Sequence, residues 1–362
     1  MDNKQAANKI TECLLKLESA EIGLDNAFVA IRLAGDMFAC TPPAADLSNI
    51  SAEDILLIDS VKLQAHNKTA YTVFAANTNI NAVILNHSHF CRLAALEGRD
   101  IPPVLDDMAQ IVGVYAKVCD IRNVKKLTKL LKKNSACLST GSTDQDYGAI
   151  ATGGTINQAF AAALVLEKSA RVYLQAACLG GAEPVNTLEA RVMHLGYQLT
   201  YSRKADSAKH RIETNFDRII PEDEMTLRRQ LVALGNELSQ RNLVQGTWGN
   251  MSVRLNQTHM LCTPSGLNYD TITPYDIVRV QISTRKYEGD LKPTGENAIH
   301  AALLSAHPQV NCIIHTHPVN CSVFAAAHTK ITVPNQQTRA LLGGDVEVPP
   351  MHSPPPRGSL ET

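Results

Sequence analysis

CTPSGLNYDTITPYDIVRVQ, Cys262 to Gln281, lines up without a gap against CTPPAADLSNISAEDILLID, Cys40 to Asp59. The offset is 262 − 40 = 222, and Cys, Thr, Pro, Ile, Asp and Ile recur in register. Upstream, Ile31-Arg32-Leu33 falls on Val253-Arg254-Leu255 at the same offset. Downstream, ANTNINAVILNHSHFC (Ala76 to Cys91) matches AHPQVNCIIHTHPVNC (Ala306 to Cys321) at an offset of 321 − 91 = 230, so the second copy carries a short insertion around STRKYEGDLK. Three matches in the same order read as a tandem duplication, and a repeat of this length decides the architecture before any single element does.

Each copy opens with an amphipathic helix. Ile10, Cys13, Leu14 and Leu17 recur at helical spacing over ~4–18, and Leu227, Leu231, Leu234 and Leu238 do so over ~224–242. Short apolar or alternating strands follow at 28–33, 55–58 and 83–85, then at 251–255, 277–280 and 312–314. Ala-rich helices are expected over about 66–76 and 296–306. A long helix from about Thr155 to Leu179 has a Gly-Gly-Thr start signal and a Gly180-Gly181 stop. The expected division is one domain over 1–204, a polar linker over 205–222 and a second domain over 223–362.

With 44% hydrophobic and 19% charged residues in 362, each half can bury a core and neither reads as disordered. A formal net charge of −1 gives no bulk attraction to nucleic acid or to an anionic membrane. No apolar run approaches the ~18 residues of a membrane span, and the polar start Met-Asp-Asn-Lys-Gln lacks a signal-peptide core. Nine cysteines, without paired spacing and partly inside apolar runs such as that around Cys312, read as buried thiols of a cytoplasmic protein. The basic run Lys125, Lys126, Lys129, Lys132 and Lys133 reads as a solvated helix face beside Leu127, Leu130 and Leu131.

The second copy carries the chemistry-bearing residues. His315 and His317 are two apart after an apolar strand, so both imidazoles fall on one face, as a metal requires; solvent-facing histidines would show the same spacing. Glu296, in Lys-Pro-Thr-Gly-Glu at a helix start, is favoured by the unpaired N–H groups and the helix dipole, so capping alone would explain it. Thr294 and Gly295 before it could cradle an oxyanion. Two further glycine turns, GTWGNMS (246–252) and Ser265-Gly266, offer neutral hydrogen-bond donors and close backbone approach, although such turns often only reverse the chain.

Taken together, GTWGNMS, CTPSG, KPTGE and IIHTHP, in this order, resemble the class II aldolase/adducin family, strongly over ~222–362 and weakly over ~5–200. The resemblance implies two tandem α/β/α layered domains with mainly antiparallel central sheets, the second incomplete. It implies a homo-oligomer in which sites lie between subunits. It assigns His315 and His317 to Zn2+ or a similar divalent metal and Glu296 to catalysis. Thr247, Asn250, Ser265, Gly266, Thr294 and Gly295 match the family's phosphate pocket. The implied function is a zinc-dependent lyase acting on a small phosphorylated sugar, with a sugar-phosphate 4-epimerase or a non-catalytic, adducin-like binding module as alternatives.

Two departures bear on that expectation. The family's third zinc histidine lies in a late Asn-His-Gly-like segment, and the tail here matches only as far as a Gly-Ser-x-Glu helix start, which implies a truncated second domain. His328 and His352 have no family motif. Gln337 stands near a place where several family enzymes carry tyrosine or aspartate. In the first copy Phe28 and Ala30 replace Asn250 and Ser252, Pro43 and Ala44 replace Ser265 and Gly266, His66 replaces Glu296, and Leu85 replaces His315. His87-Ser88-His89 is out of register by two, so that half is expected to be structural.

Overall fold

The computed structural model describes residues 2–43, 45–200, 219–241, 243–244, 248–269 and 271–348. In the first half the chain runs α1 (Asn3–Ser19), β1 (Phe28–Arg32), β2 (Met37–Cys40), β3 (Leu56–Asp59), α2 (Ser60–His66), α3 (Lys68–Ala76), β4 (Ala82–Asn86) and α4 (His89–Leu96). It continues through β5 (Val118–Asp120), α5 (Val124–Leu131), β6 (Ala136–Thr140), β7 (Gly148–Gly153), α6 (Ile156–Ala176) and α7 (Thr187–Thr200). The second half gives α8 (Glu222–Gln240), β8 (Asn250–Arg254), β9 (His259–Cys262), β10 (Val278–Gln281), α9 (Asn297–Ala306), β11 (Cys312–His315), α10 (Val319–Ala326) and α11 (Gln336–Leu342). Most of the expected linker, 201–218, lies outside the described residues.

The helix ends follow local capping chemistry. Asp2 caps α1 through the Gln5 amide, with Gln5 reaching back in a capping box, and Thr155 caps α6 through the Gln158 amide. Beyond α6 one 3-10 turn leads to Gly180 at φ 104, the left-handed stop that the Gly-Gly pair suggested. α7, which was not expected from the sequence, starts after Asn186, whose Oδ1 accepts from the Leu188 amide at 2.8 Å.

The first sheet has seven strands in the order β3-β2-β1-β4-β7-β6-β5; the second has four in the order β10-β9-β8-β11. The first sheet, expected to be mainly antiparallel, is mixed in strand direction. β5 and β6 run parallel, joined through α5, while the other neighbouring pairs are antiparallel. One face packs Ile10, Leu14 and Leu17 of α1 with Ala94 of α4 and Ala162 and Leu166 of α6; the other packs Leu63, Val73, Phe74 and Leu127. Three α/β/α layers result.

Register repeats between the halves. Phe28 faces Leu85 and Ile31 faces Ala82 across β1 and β4; Asn250 faces His315 and Val253 faces Cys312 across β8 and β11. β4 lies inside its sheet, whereas β11 pairs only with β8 among the described residues. Cys312, expected to be buried, is therefore exposed, as are Cys178 and Cys321; the other six cysteines are buried and all nine are free. The five lysines of the basic run are exposed on and after α5 while Leu127 and Leu131 point inward. No helix among the described residues is long and apolar enough to cross a membrane.

The halves meet along α6. Its Val172 and Ala176 join Val104 in a buried cluster with Val323 and Ala326 of α10. The Glu183 amide donates to the Ala326 carbonyl at 2.8 Å, and Trp248 of the second half packs against the core of the first. α10 of the second half thus abuts the first half's long helix.

Candidate active site

Strand register and one helix start converge on a single carboxylate. Asn250 opens β8 and His315 closes β11, directly opposite each other. Glu296 immediately precedes α9 and makes no capping bond with its side chain, so capping does not account for its presence. Instead its Oε2 accepts from Asn250 Nδ2 at 2.8 Å and from Nδ1 of His315 in a very short contact. Burial pushes the Glu296 carboxyl up, but the hydrogen bonds from His315 and Asn250 outweigh it and hold the group below its usual range. The same contact raises His315 above an ordinary imidazole.

His317 lies beyond the end of β11 and its ring stacks on that of His315, with centroids 4.7 Å apart. Its amide donates to the Leu243 carbonyl at 3.3 Å. Its Nδ1 lies 3.5 Å from Oδ2 of Asp107, a residue of the first half. Each histidine therefore turns Nδ1 toward a carboxylate and keeps Nε2 for another partner, the arrangement in which metal-bound histidines are usually held. On donor chemistry two imidazoles fit two positions of a divalent ion. Among the described residues no three His, Cys, Asp or Glu side chains are grouped to hold one, and His328 instead faces Glu183 at 3.5 Å. His352 lies outside the described residues.

The glycine turns surround this centre. Gly249 has φ +75, and a Cβ there would stand 2.7 Å from the His315 carbonyl oxygen and 2.6 Å from Val244 Cγ1, so only glycine lets the turn press against the end of β11. CTPSG and KPTGE are joined by an isolated bridge between Pro264 and Pro293, by Ser265 N donating to the Lys292 carbonyl at 2.9 Å, and by Thr294 N donating to Thr263 at 2.9 Å. Gly266 is left-handed at φ +80. Thr294 is buried and its Oγ1 accepts from the Glu296 amide at 3.3 Å, while no atom lies within 4 Å of where a Cβ would stand on Gly295. Asn250 Oδ1 is buried without a hydrogen-bond partner. Thr247 and Gly246 lie outside the described residues. Of the expected site residues, the structure gathers Asn250, Glu296, His315 and His317 at one place, and ties the Ser265 and Thr294 turns together next to it.

Sequence reasoning missed several neighbours. Asp106 and Asp107 come from the first half; burial, then the nearby Asp107 and Glu189 carboxylates, push the Asp106 carboxyl up. Asp107 is paired with buried Lys168 of α6 at 3.1 Å. Behind the centre, His300 Nδ1 and Ser252 Oγ form a buried 2.7 Å contact where the first half has Ala70 and Ala30. A signal for Asp107 did exist, since it stands opposite Gln337 at the repeat's own offset, 337 − 107 = 230.

The first half lacks the centre. His66 Nε2 lies 2.9 Å from the Thr41 carbonyl, His87 Nδ1 lies 3.0 Å from the Tyr147 carbonyl, and His89 packs edge-on against Phe90.

Comparison with known proteins gives the family. The model of the class II aldolase and adducin N-terminal domain matches residues 20–174 and again 229–357. The chain is 32% identical over 124 residues to the L-fuculose phosphate aldolase of Escherichia coli K12, covering 34% of this chain and 57% of that one. It is 37% identical over 103 residues to a 5-methylthioribulose-1-phosphate/5-deoxyribulose-1-phosphate aldolase of Escherichia coli O45:K1, covering 28% of this chain and 47% of that one. These alignments thus span about half the length of the curated relatives. Among solved structures, an L-fuculose 1-phosphate aldolase superposes with a TM-score of 0.47 at 15% identity, over 54% of this chain and 96% of that one. Since the family model accounts for well over half of the residues, in two separate segments, this chain belongs to the class II aldolase and adducin family.

Proposed function

We propose that the chain is a metal-dependent lyase that opens the carbon–carbon bond of a small phosphorylated sugar. In this reading the site lies in the second of two copies, 223–362, and the copy over 1–204 is structural. The observation that carries the reading is the Asn250–Glu296–His315 contact set with His317 stacked beside it. Nε2 of His315 and of His317 would hold the ion, with zinc the family's expectation. When bound, the ion supplies Lewis-acid polarisation of the sugar's carbonyl and neighbouring hydroxyl oxygens.

The chain's own residues do the rest. Glu296 takes the proton from the hydroxyl β to the carbonyl as the carbon–carbon bond breaks, and returns a proton to the carbon left as an enediolate. Asn250 Nδ2 holds the carboxylate in place. Ser265, Gly266, Thr294 and Gly295, with Thr247, bind the phosphate through neutral donors and fix the reacting carbons against Glu296. The names of the aligned relatives support a ketose 1-phosphate as substrate.

The test is aldehyde release from a panel of ketose 1-phosphates by the metal-loaded chain, with and without a chelator. Cleavage lost on chelation and restored by Zn2+ is expected; cleavage indifferent to chelation would exclude the metal reading. A non-catalytic binding module is favoured by one observation, the missing three-ligand group among the described residues. That module would bind the same phosphates without turnover. Epimerisation without cleavage in the same assay would point to the 4-epimerase reaction instead.

A further inference from the structure

The first half has lost its own centre, yet it places one buried ion pair against the second half's. We propose that Asp107, held by Lys168, is the positioning residue for His317, so that the degenerate copy completes the site of the other. The inference rests on the reading of His317 as a ligand.

Four observations carry it. Asp107 Oδ2 lies 3.1 Å from Lys168 Nζ and 3.5 Å from His317 Nδ1, so one oxygen faces both a cation and the imidazole. The side chains of Lys168 and Asp107 are only 4% and 7% exposed. Burying such a pair costs desolvation that an apolar pair of equal volume would avoid, and a pair kept for packing alone gains little.

Secondly, the local backbone is unusual. Immediately after Asp107 the chain makes a π-helical turn, Met108–Val112, buried at Met108, Ala109, Ile111 and Val112. Such turns are uncommon and are found frequently at functional sites. This one is closed by the Gly113 amide donating to the Met108 carbonyl at 2.9 Å, with Gly113 at φ 124. α7 braces it from outside through His194 Nδ1, 2.8 Å from the Gln110 carbonyl.

Thirdly, the pattern mirrors the partner histidine. His315 Nδ1 faces Glu296 and His317 Nδ1 faces Asp107, and a carboxylate at Nδ1 fixes the tautomer that leaves Nε2 with its lone pair. Fourthly, the apolar packing of α6 on α10 fixes the distance between Lys168 and the His317 loop, which precedes α10 directly.

The experiment is long-range 1H–15N correlation spectroscopy of the metal-free full chain, with His317 assigned through a His317→Gln variant, followed by Co2+ titration. In the wild type His317 is expected to carry its proton on Nδ1. In Asp107→Leu/Lys168→Met, which removes the pair without stranding a charge, the proton moves to Nε2, the form that free imidazole prefers. Co2+ affinity then falls tenfold or more. Asp107→Asn, which keeps an acceptor, retains the Nδ1–H form. Should the apolar pair not fold, Asp107→Ser breaks the contact with His317 and still offers Lys168 a hydroxyl. An unmoved His317 tautomer in either folded variant overturns the proposal. A wild type that binds no Co2+ overturns the metal reading instead, and the tautomer still decides the role of Asp107.

Discussion

Asn250 and His315 stand directly opposite each other across β8 and β11, and both hydrogen-bond the same oxygen, Oε2 of Glu296. At the matching place in the first half Phe28 faces Leu85, and two apolar side chains offer a carboxylate nothing. The difference between a site and a plain sheet is thus one cross-strand pair plus the residue before one helix.

Removing the proton acceptor separates chemistry from assembly. Glu296→Gln keeps the shape and an acceptor for Asn250 but cannot take a proton at neutral pH. We expect the cleavage rate to fall by about 100-fold or more while metal content stays at the wild-type level. An unchanged rate would remove Glu296 from the reaction.

Much of this was legible in the sequence because the relevant constraints are local. Strand period and helix spacing place His315, Asn250 and Glu296 at element ends, and glycine at 249 marks a contact that no Cβ allows. The repeat offsets fix which first-half residues have changed. Asp107 left only its place opposite Gln337 at the repeat offset, and Lys168 escaped because it depends on how α6 meets α10, a packing of two distant apolar faces that no motif encodes. The parallel β5–β6 pair escaped as well; strands of 3 and 5 residues carry too little pattern to give a direction.

The Glu296–His315 pair makes the metal-free protein sensitive to pH. His315 is raised above its ordinary 6.5, so its contribution is complete below that value and is lost as pH rises through the higher folded one. Glu296 is held below its ordinary 4.5, so its share is present above that value and is lost as pH falls through the lower one. Together the pair stabilises the folded chain most between those two ordinary values. Urea midpoints of wild type and His315→Gln should differ more at about pH 5.5 than at about pH 8.5. Metal affinity should run the other way, rising with pH as His315 gives up its proton. A gap between the two proteins that stays constant with pH would show that the pair is not ionised as described.

Trp248 is the single tryptophan and packs between the second half's glycine turn and the first half's core. Its fluorescence reports on both. Phosphate binding at the adjoining turns should shift its emission, saturably and with competition between inorganic phosphate and a sugar phosphate. Emission unaffected by either ligand would place the phosphate elsewhere.

Arg32 and Arg254 allow the two halves to be perturbed in parallel. Arg32 donates through Nη2 to the Phe74 and Asn77 carbonyls and through Nε to Ile80; Arg254 donates through Nη2 to Leu304 and His307 and through Nε to Val310. Every acceptor in the second set is the first set's residue plus 230, and both arginines close the end of a helix over a sheet. Hydrogen bonds that involve a charged group contribute about 1.5–3 kcal/mol each, net of exchange with water, so Arg32→Met and Arg254→Met should both lower the unfolding midpoint. Their effects on the centre should differ. Arg254 secures the far end of α9, whose near end carries Glu296, so Arg254→Met should also weaken Co2+ binding and slow cleavage. Arg32 secures α3, which carries no part of the centre, and the Co2+ affinity of the folded fraction of Arg32→Met should match the wild type. Equal losses of affinity in both variants would mean that the second half's centre depends on the first half's whole sheet, not only on the residues around Asp107.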